Sequence, residues 1–524
     1  MFVRLVAASF GGACIAFSFP PTAYWAAAFV GVALLLRAAD GARAWASFLI
    51  GWTGGCAGHL VACAWLWQAI AGFTGMSPAA VAACVAAVVV YHGLQFGVFS
   101  LLAANRRRHG LVSHCAETAA IWVVVEWSFP KILPWTLGDG LGGALLLRQA
   151  ADLAGPHGLS WATAAAAAAL VTSVSATSDP LKRWRATAAA IGVVCLLAIY
   201  GGLRLIQLNV TAPAESLHVT LVQGGLGLHA DAQQQNDLAW KIYEPLTVAA
   251  TARQREAPSA IGQLLVWPEA TLRAYLSSDE DQRRRLQQLT ALLGQPLMVG
   301  ALDLPPSGGG ELNAAFLFVP AGASKVQAYH KRRLVPFAEY VPGVDRIGFL
   351  RAWRPIGHFA PGRSAAPLRV QEGVPLAAAI CFEALHAGGF NSMVRAGARL
   401  LVSLSDDAWF ARTSEVQQAL GVSAMRAVET RRWLARASDS GVSAFIDPAG
   451  RVVAKLDEGV MGAIQADLPL RNGLSLYVRC GDWIVGASLV LLAWFFVKRE
   501  RKTFGCLTLH ESSKRHGADD LRIE

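Results

Sequence analysis

Apolar stretches long enough to cross a bilayer constrain this chain more than any other feature. A membrane-spanning helix needs about 20 mostly apolar residues, and candidates fall near residues 3–19, 23–36, 45–69, 79–104, 114–130, 158–176, 187–207 and 480–497. The second is short and the fifth is interrupted by Pro130 and Pro134, so these two boundaries are the loosest. The composition is that of a membrane protein: 54% of residues are hydrophobic, 16% are charged and the mean hydropathy is +0.39, where a globular protein has roughly a quarter charged. A formal net charge of +10 would suit nucleic acid. The basic residues cluster where apolar segments end, however, so the bilayer accounts for them and no nucleic-acid partner is expected.

Positive loops stay in the cytoplasm. The clusters are residues 37–43, Arg106-Arg107-Arg108, Lys182-Arg183-Trp184-Arg185 and Lys498-Arg499-Glu500-Arg501-Lys502. Strict alternation of eight spans puts all of them on one side only if the short second segment is re-entrant or a boundary moves. Weighting the strongest clusters and the tail makes both termini cytoplasmic. Phe19-Pro20-Pro21 follows the first segment in place of a small-residue cleavage site, so that segment reads as a retained anchor. The expected organisation is a membrane domain of about seven helices over 1–207, an extracytoplasmic domain over 208–478, a last span over 479–498 and a basic, polar tail over 499–524.

From residue 208 the charge density rises and β-rich runs alternate with amphipathic helical ones. Strands are expected at 217–223, 264–267, 297–300, 314–319, 376–381, 399–404, 442–446 and 451–453, and helices at 232–252, 279–293, 386–396 and 415–430. Strands and helices in turn argue an α/β fold with a substantial sheet. Of nine cysteines, only Cys381 and Cys480 lie between residues 208 and 480. Cys381 ends the apolar run Ala378-Ala379-Ile380, at a strand's carboxyl end, where open α/β sheets bind ligands. Such a residue is either a small buried hydrophobe or a nucleophile.

Two further residues stand at comparable places. Glu269 follows Trp267-Pro268, and Lys331 lies in Tyr329-His330-Lys331-Arg332-Arg333-Leu334-Val335-Pro336-Phe337. Singly, each reads as a solvated loop or surface charge. Together with Cys381 they supply what acyl transfer through a thioester requires. A thiol is only a few per cent ionised near neutrality and needs a base, for which Glu269 serves. The developing oxyanion needs donors, for which Lys331 and the backbone N–H of Phe382 serve.

Residues 215–470 resemble the carbon-nitrogen hydrolase (nitrilase-like) family, whose Glu-Lys-Cys triad maps to Glu269, Lys331 and Cys381. With apolar spans on both sides, the whole chain resembles the apolipoprotein N-acyltransferase family. The matching stretches are Val222-Gln223-Gly224, Trp267-Pro268-Glu269, Leu334 to Pro342, Ile380-Cys381-Phe382-Glu383, Asp407-Ala408-Trp409-Phe410, Met425-Arg426-Ala427-Val428-Glu429-Thr430 and Leu476-Tyr477-Val478-Arg479 with Gly481-Asp482. The resemblance implies a polytopic helical membrane domain carrying a four-layer αββα sandwich on the periplasmic side of a bacterial inner membrane. It implies a phospholipid acyl donor, a Cys381 thioester and, as acceptor, the α-amino group of the diacylglyceryl-cysteine that begins an apolipoprotein. Glu339 would support the lysine and Glu383 would be the acid after the nucleophile, with structural ion pairs as the alternative for both.

Neither metal nor soluble cofactor is expected, and the twelve histidines show no metal-ligand spacing. Phe349, Leu350 and Trp353 are candidates for a lid at the lipid surface, or else cover the core. Several positions depart from the family pattern: Asp406 for an asparagine, Gly225 for a frequent asparagine, Gln417 where histidine is common, Ser438-Asp439-Ser440-Gly441 for Thr-Asn-x-Gly, and Arg431-Arg432-Trp433 for Gly-Arg-Pro. They leave the triad intact but open the choice of substrate, so a specialised paralogue or a membrane-anchored amidohydrolase stays open. A non-catalytic lipid-binding scaffold would have no chemical need for all three triad residues.

Overall fold

The computed structural model describes residues 1–498 apart from 105–109, 176–178, 211–212, 228–230, 254–259, 306–307, 321–325, 344–358 and 371–372. Helices α1 (Phe2–Phe17), α2 (Ala26–Ala39), α3 (Ala44–Ala62), α4 (Leu66–Thr74), α5 (Pro78–Ala103), α6 (Leu111–Ser128), α7 (Ala151–Ser175) and α8 (Pro180–Val210) precede the first strand. The apolar stretches are thus helical. Among the described residues, Pro78–Ala103, Leu147–Ser175 and Pro180–Val210 are each long and apolar enough to cross a membrane, and α3 with α4, bent by 62°, makes a fourth if counted as one span. Phe2–Phe17 and Ala26–Ala39 are shorter apolar helices. α6 carries two buried carboxylates, Glu117 and Glu126. α7 turns sharply at Ala154 and Gly155, just ahead of Pro156.

The second half is built on two sheets. Its strands are β1 (Ser216–Gln223), β2 (Ala260–Val266), β3 (Leu272–Tyr275), β4 (Leu297–Asp303), β5 (Leu312–Phe318), β6 (Gln327–His330), β7 (Leu368–Arg369), β8 (Pro375–Ile380), β9 (Leu400–Ser405), β10 (Leu434–Ser438), β11 (Ser443–Ile446), β12 (Val452–Leu456) and β13 (Gly462–Pro469). One sheet runs β13-β1-β2-β4-β5-β6 with β3 beside β4; the other runs β12-β11-β10-β9-β8-β7. Period-two alternation decides which side chains meet. Leu217, Val219, Leu221, Leu264, Val266, Met298, Ala315 and Leu317 face the other sheet's Leu376, Ala378, Ile380, Leu400, Val402 and Leu404 in one core. Their neighbours Leu265, Trp267, Leu297, Val299, Ala314 and Phe316 face outward onto α9 (Ala232–Ala252) and α10 (Glu280–Leu293).

α11 (Asn391–Arg395) and α12 (Ser414–Thr430) cover the second sheet, giving helix, sheet, sheet, helix. The helix expected over 386–396 shrinks to α11 because the residues after Cys381 are taken up by a 3-10 turn, Cys381–Leu385, and a further bend. α13 (Leu476–Cys480) and α14 (Trp483–Lys498), another short apolar helix, follow the sandwich.

α12 joins the two halves. Val416, Ala424 and Ala427 belong to the sandwich core, whereas Met425 and Val428 belong to the core of the helical base. The Arg426 guanidinium reaches Asp139 (2.9 Å) and Glu429 (2.7 Å). Arg431, just past the helix, donates to Asp152 (2.9 Å) and to Gln149 Oε1 (2.6 Å) of the base. Asp152 also holds Arg204 (2.7 Å) and the Tyr200 hydroxyl (2.7 Å) of α8.

Candidate active site

Cys381 is the first residue beyond β8, and its φ is 50°. The left-handed region is uncommon for a residue with a Cβ and persists only where the surroundings impose it. Glu383 imposes it. Its Oε2 accepts from the Ile380 N–H (3.0 Å), its Oε1 from the N–H groups of Arg332 (2.8 Å) and Arg333 (3.1 Å), and both oxygens from the Tyr329 hydroxyl (3.0 and 2.9 Å). One buried carboxylate therefore ties the cysteine turn to the segment that carries Lys331.

Lys331 follows β6 and is 1% exposed. Its backbone N–H donates to Asn313 O (2.8 Å) and its ammonium to Glu339 Oε1 (2.7 Å), with Glu269 Oε1 farther off at 3.5 Å. Glu339 is itself held by the Val335 N–H (2.7 Å). Burial alone would lower the lysine pKa, but Glu339 and Glu269 outweigh it and hold the group above its ordinary value, firmly protonated.

Glu269 sits in the loop after β2. A methyl at Gly300 of β4 would lie 2.2 Å from Pro268 O and 2.5 Å from the Glu269 Cα, so only glycine lets this loop lie so close. Its Oε1 accepts from Asn313 Nδ2 (2.8 Å) and its Oε2 from the Asp406 N–H (2.9 Å). Burial raises the Glu269 pKa and Lys331 draws it back, leaving it above the usual carboxylate range. The half-buried Cys381 thiol is pushed well up by burial and by the Glu269 charge, against the pull of Lys331. A thiol so placed is protonated at rest and ionises only when a neighbour removes the proton.

Buried Glu269 and Lys331 and half-buried Glu339 thus form one chain of alternating charges, within electrostatic reach of the thiol. Phe382 is buried, its ring edge-on to His386 with centroids 4.8 Å apart. Burial and the nearby Arg333 lower the His386 pKa to about 3, so this imidazole is neutral. Trp135 of the helical base and Val335 pack with Cys381 against Phe382, Leu385, Ala419 and Val422. Asp407 accepts from Ser405, Arg436 (2.6 Å) and Ser438, bracing the ends of β9 and β10.

Among the departures from the family pattern, Gly225 keeps a left-handed backbone (φ 61°) that asparagine also tolerates. Gln417 is exposed, and its neighbour Gln418 bonds Trp65 Nε1 and Ala62 O at the α3–α4 bend. Phe349, Leu350, Trp353 and the tail over 499–524 lie outside the described residues. Sequence reasoning missed Asn313, Tyr329 and the Asp406 N–H. A polar residue inside the apolar run of β5 was the available signal for the first; a backbone donor leaves none. Among the described residues no three or more His, Cys, Asp or Glu side chains are grouped to hold a metal.

Residues 11–169 match the apolipoprotein N-acyltransferase N-terminal domain, and residues 219–473 match the carbon-nitrogen hydrolase family. Among curated proteins, the chain is 28% identical to an apolipoprotein N-acyltransferase of Rhodopseudomonas palustris over 95% of each chain. It is 30% identical to that of Bradyrhizobium diazoefficiens over 82% of this chain and 80% of the other, and 30% identical to that of Nitrosomonas europaea over 82% and 83%.

Proposed function

The chain belongs to the apolipoprotein N-acyltransferase family, and on that premise we propose the reaction it performs and the residues that carry it. It is a membrane acyltransferase that N-acylates lipoproteins. Cys381 attacks the ester carbonyl of a phospholipid: the S–C bond forms, the ester C–O bond breaks, and Glu269 passes the thiol proton to the departing glycerol oxygen, releasing lysophospholipid. The α-amino group of an S-diacylglyceryl-cysteine at the start of an apolipoprotein then attacks the thioester. An N–C bond forms, the C–S bond breaks, and a proton from the amine returns through Glu269 to sulfur. Lys331, kept charged by Glu339, and the Phe382 N–H face the oxyanion in both halves. Splitting the transfer this way replaces one hard step by two easier ones.

The observation that carries this reading is the charge chain Glu269–Lys331–Glu339 beside a half-buried thiol whose apolar surroundings include Trp135 of the helical base. A nucleophile on that side suits an acyl donor that never leaves the bilayer. We place the sandwich, residues 208–478, on the periplasmic side of the inner membrane, with residues 1–207 and 479–498 embedded and both termini cytoplasmic. The clusters of basic residues at the ends of apolar segments and the tethering of the sandwich at both ends support this.

Intact-mass spectrometry of the purified protein with phospholipid vesicles tests the chemistry. The expected product is an acyl-sized increment on Cys381, discharged quickly by a lipopeptide amine and slowly by water, and absent in Cys381→Ser. Glu269→Gln should slow its formation about 10²-fold. Rapid discharge by water alone would make the protein a hydrolase, and an unimpaired Glu269→Gln would remove Glu269 as the base.

A further inference from the structure

We propose that Asn313 is a positioning residue for the acyl transfer, fixing the Glu269 carboxylate through its side chain while its backbone fixes Lys331. The inference rests on the assignment of Glu269 as base. Asn313 lies on β5 and is 5% exposed. Its Nδ2 donates to Glu269 Oε1 at 2.8 Å, shorter than the 3.5 Å from the Lys331 ammonium to the same oxygen. Its carbonyl accepts the Lys331 N–H at 2.8 Å, which continues the β5–β6 ladder from the pair Ala314 and His330. One residue therefore sets the separation of the two groups that must act together on the thiol and its acyl carbonyl.

The side chain has a chemical reason to be an amide. Glu269 Oε2 is already occupied by the Asp406 N–H, so the Asn313 bond fixes the second oxygen and leaves the carboxylate no rotational freedom. An amide N–H to a carboxylate is charge-assisted, and it supports the ionised form that must be present before the thiol proton can be taken. An aspartate here would set carboxylate against carboxylate. A leucine would leave Oε1 with the long contact to Lys331 alone. The backbone link to Lys331 survives any side chain, so the ladder does not depend on the amide. The Asn313 Oδ1 is buried without a hydrogen-bond partner, so the chain retains an amide here at some cost to itself.

The test is a double-mutant cycle on the rate of acyl-Cys381 formation in the full-length protein. Asn313→Ala should lower that rate about 10- to 100-fold, the worth of a hydrogen bond to a charged group, and shift the acid limb of the pH profile upward. In a Glu269→Gln background the same substitution should cost less than about threefold, because there is no carboxylate left to orient. Asn313→Asp, of the same shape, should be most impaired at alkaline pH and recover as the pH falls and its carboxyl becomes a donor. Equal losses with and without Glu269, or an Asn313→Asp variant that does not recover on acidification, would overturn the proposal. A fully active Glu269→Gln would instead overturn the assignment of the base, so the two failures are told apart.

Discussion

Glu383→Gln changes one oxygen for an amino group in a buried side chain whose two oxygens both accept main-chain N–H groups. The carboxylate takes the Ile380 N–H on one oxygen and the Arg332 and Arg333 N–H groups on the other, with Tyr329 able to serve either. Glutamine has one acceptor oxygen, so whichever way the amide turns, at least one main-chain N–H meets an NH2. A buried donor left unsatisfied costs about 1–3 kcal/mol. Glu383→Leu orphans all three main-chain donors, and we expect about 3–6 kcal/mol after the backbone relaxes. Both variants also free Cys381 from its left-handed φ of 50°. The sulfur then shifts, and a displacement of about 1 Å costs about 10²-fold in rate. Thermal unfolding in detergent should fall by a few degrees for Gln and further for Leu, while single-turnover acylation of Cys381, read by intact mass, drops about 10- to 100-fold in Gln. A Glu383→Gln protein with parental melting and parental single-turnover rate would refute the view that this carboxylate holds the nucleophile's turn.

Arg431→Gly puts glycine at a left-handed residue (φ 55°), a gain of about 1–2 kcal/mol. It also deletes the bonds to Asp152 and Gln149, and losing a buried pair costs about 3–5 kcal/mol. Because Asp152 keeps Arg204 and Tyr200, we expect a net loss of about 1–3 kcal/mol, visible as a lower melting temperature; a rise would contradict it. Asp406 carries a carboxyl that burial and the nearby Asp439 push well above the usual range, against the Ala408 N–H. A raised acid pKa favours the protonated form in the fold, so this residue's contribution is full below about pH 4 and is lost as the pH climbs toward the folded value. The melting-temperature advantage of Asp406→Asn over the parent should therefore widen from acid to alkaline pH, and a constant gap would refute it.

The strand-end residues were readable because each breaks an apolar run. Ile380 to Cys381 and Trp267 to Glu269 mark the end of a buried strand, and the α/β class followed from strands and helices taking turns; the two-sheet sandwich and the roles of these residues came only from the family resemblance. Other elements were hidden by their contents. β10 carries Arg436 in its middle, which looks solvated in sequence but is 1% exposed against Asp407. β13 mixes Gln465 and Asp467 with apolar residues because it lies at the edge of its sheet. β3, β6 and β7 run for four, four and two residues, too short to show a period. Asn313 and Glu383 were harder in kind, since their importance lies in backbone donors and distant partners that residue type does not reveal.

α12 has a consequence for how this molecule comes apart. A fragment cut free at residue 208 would expose Met425 and Val428 to water and strip Arg426 of Asp139 and Arg431 of Asp152. We therefore expect the sandwich and the bundle to unfold in one transition, which calorimetry of the full-length protein checks. The same 17-residue helix packs Ala419 and Val422 against Phe382, with Cys381 alongside, so the seam between the two halves lies one helix away from the candidate site.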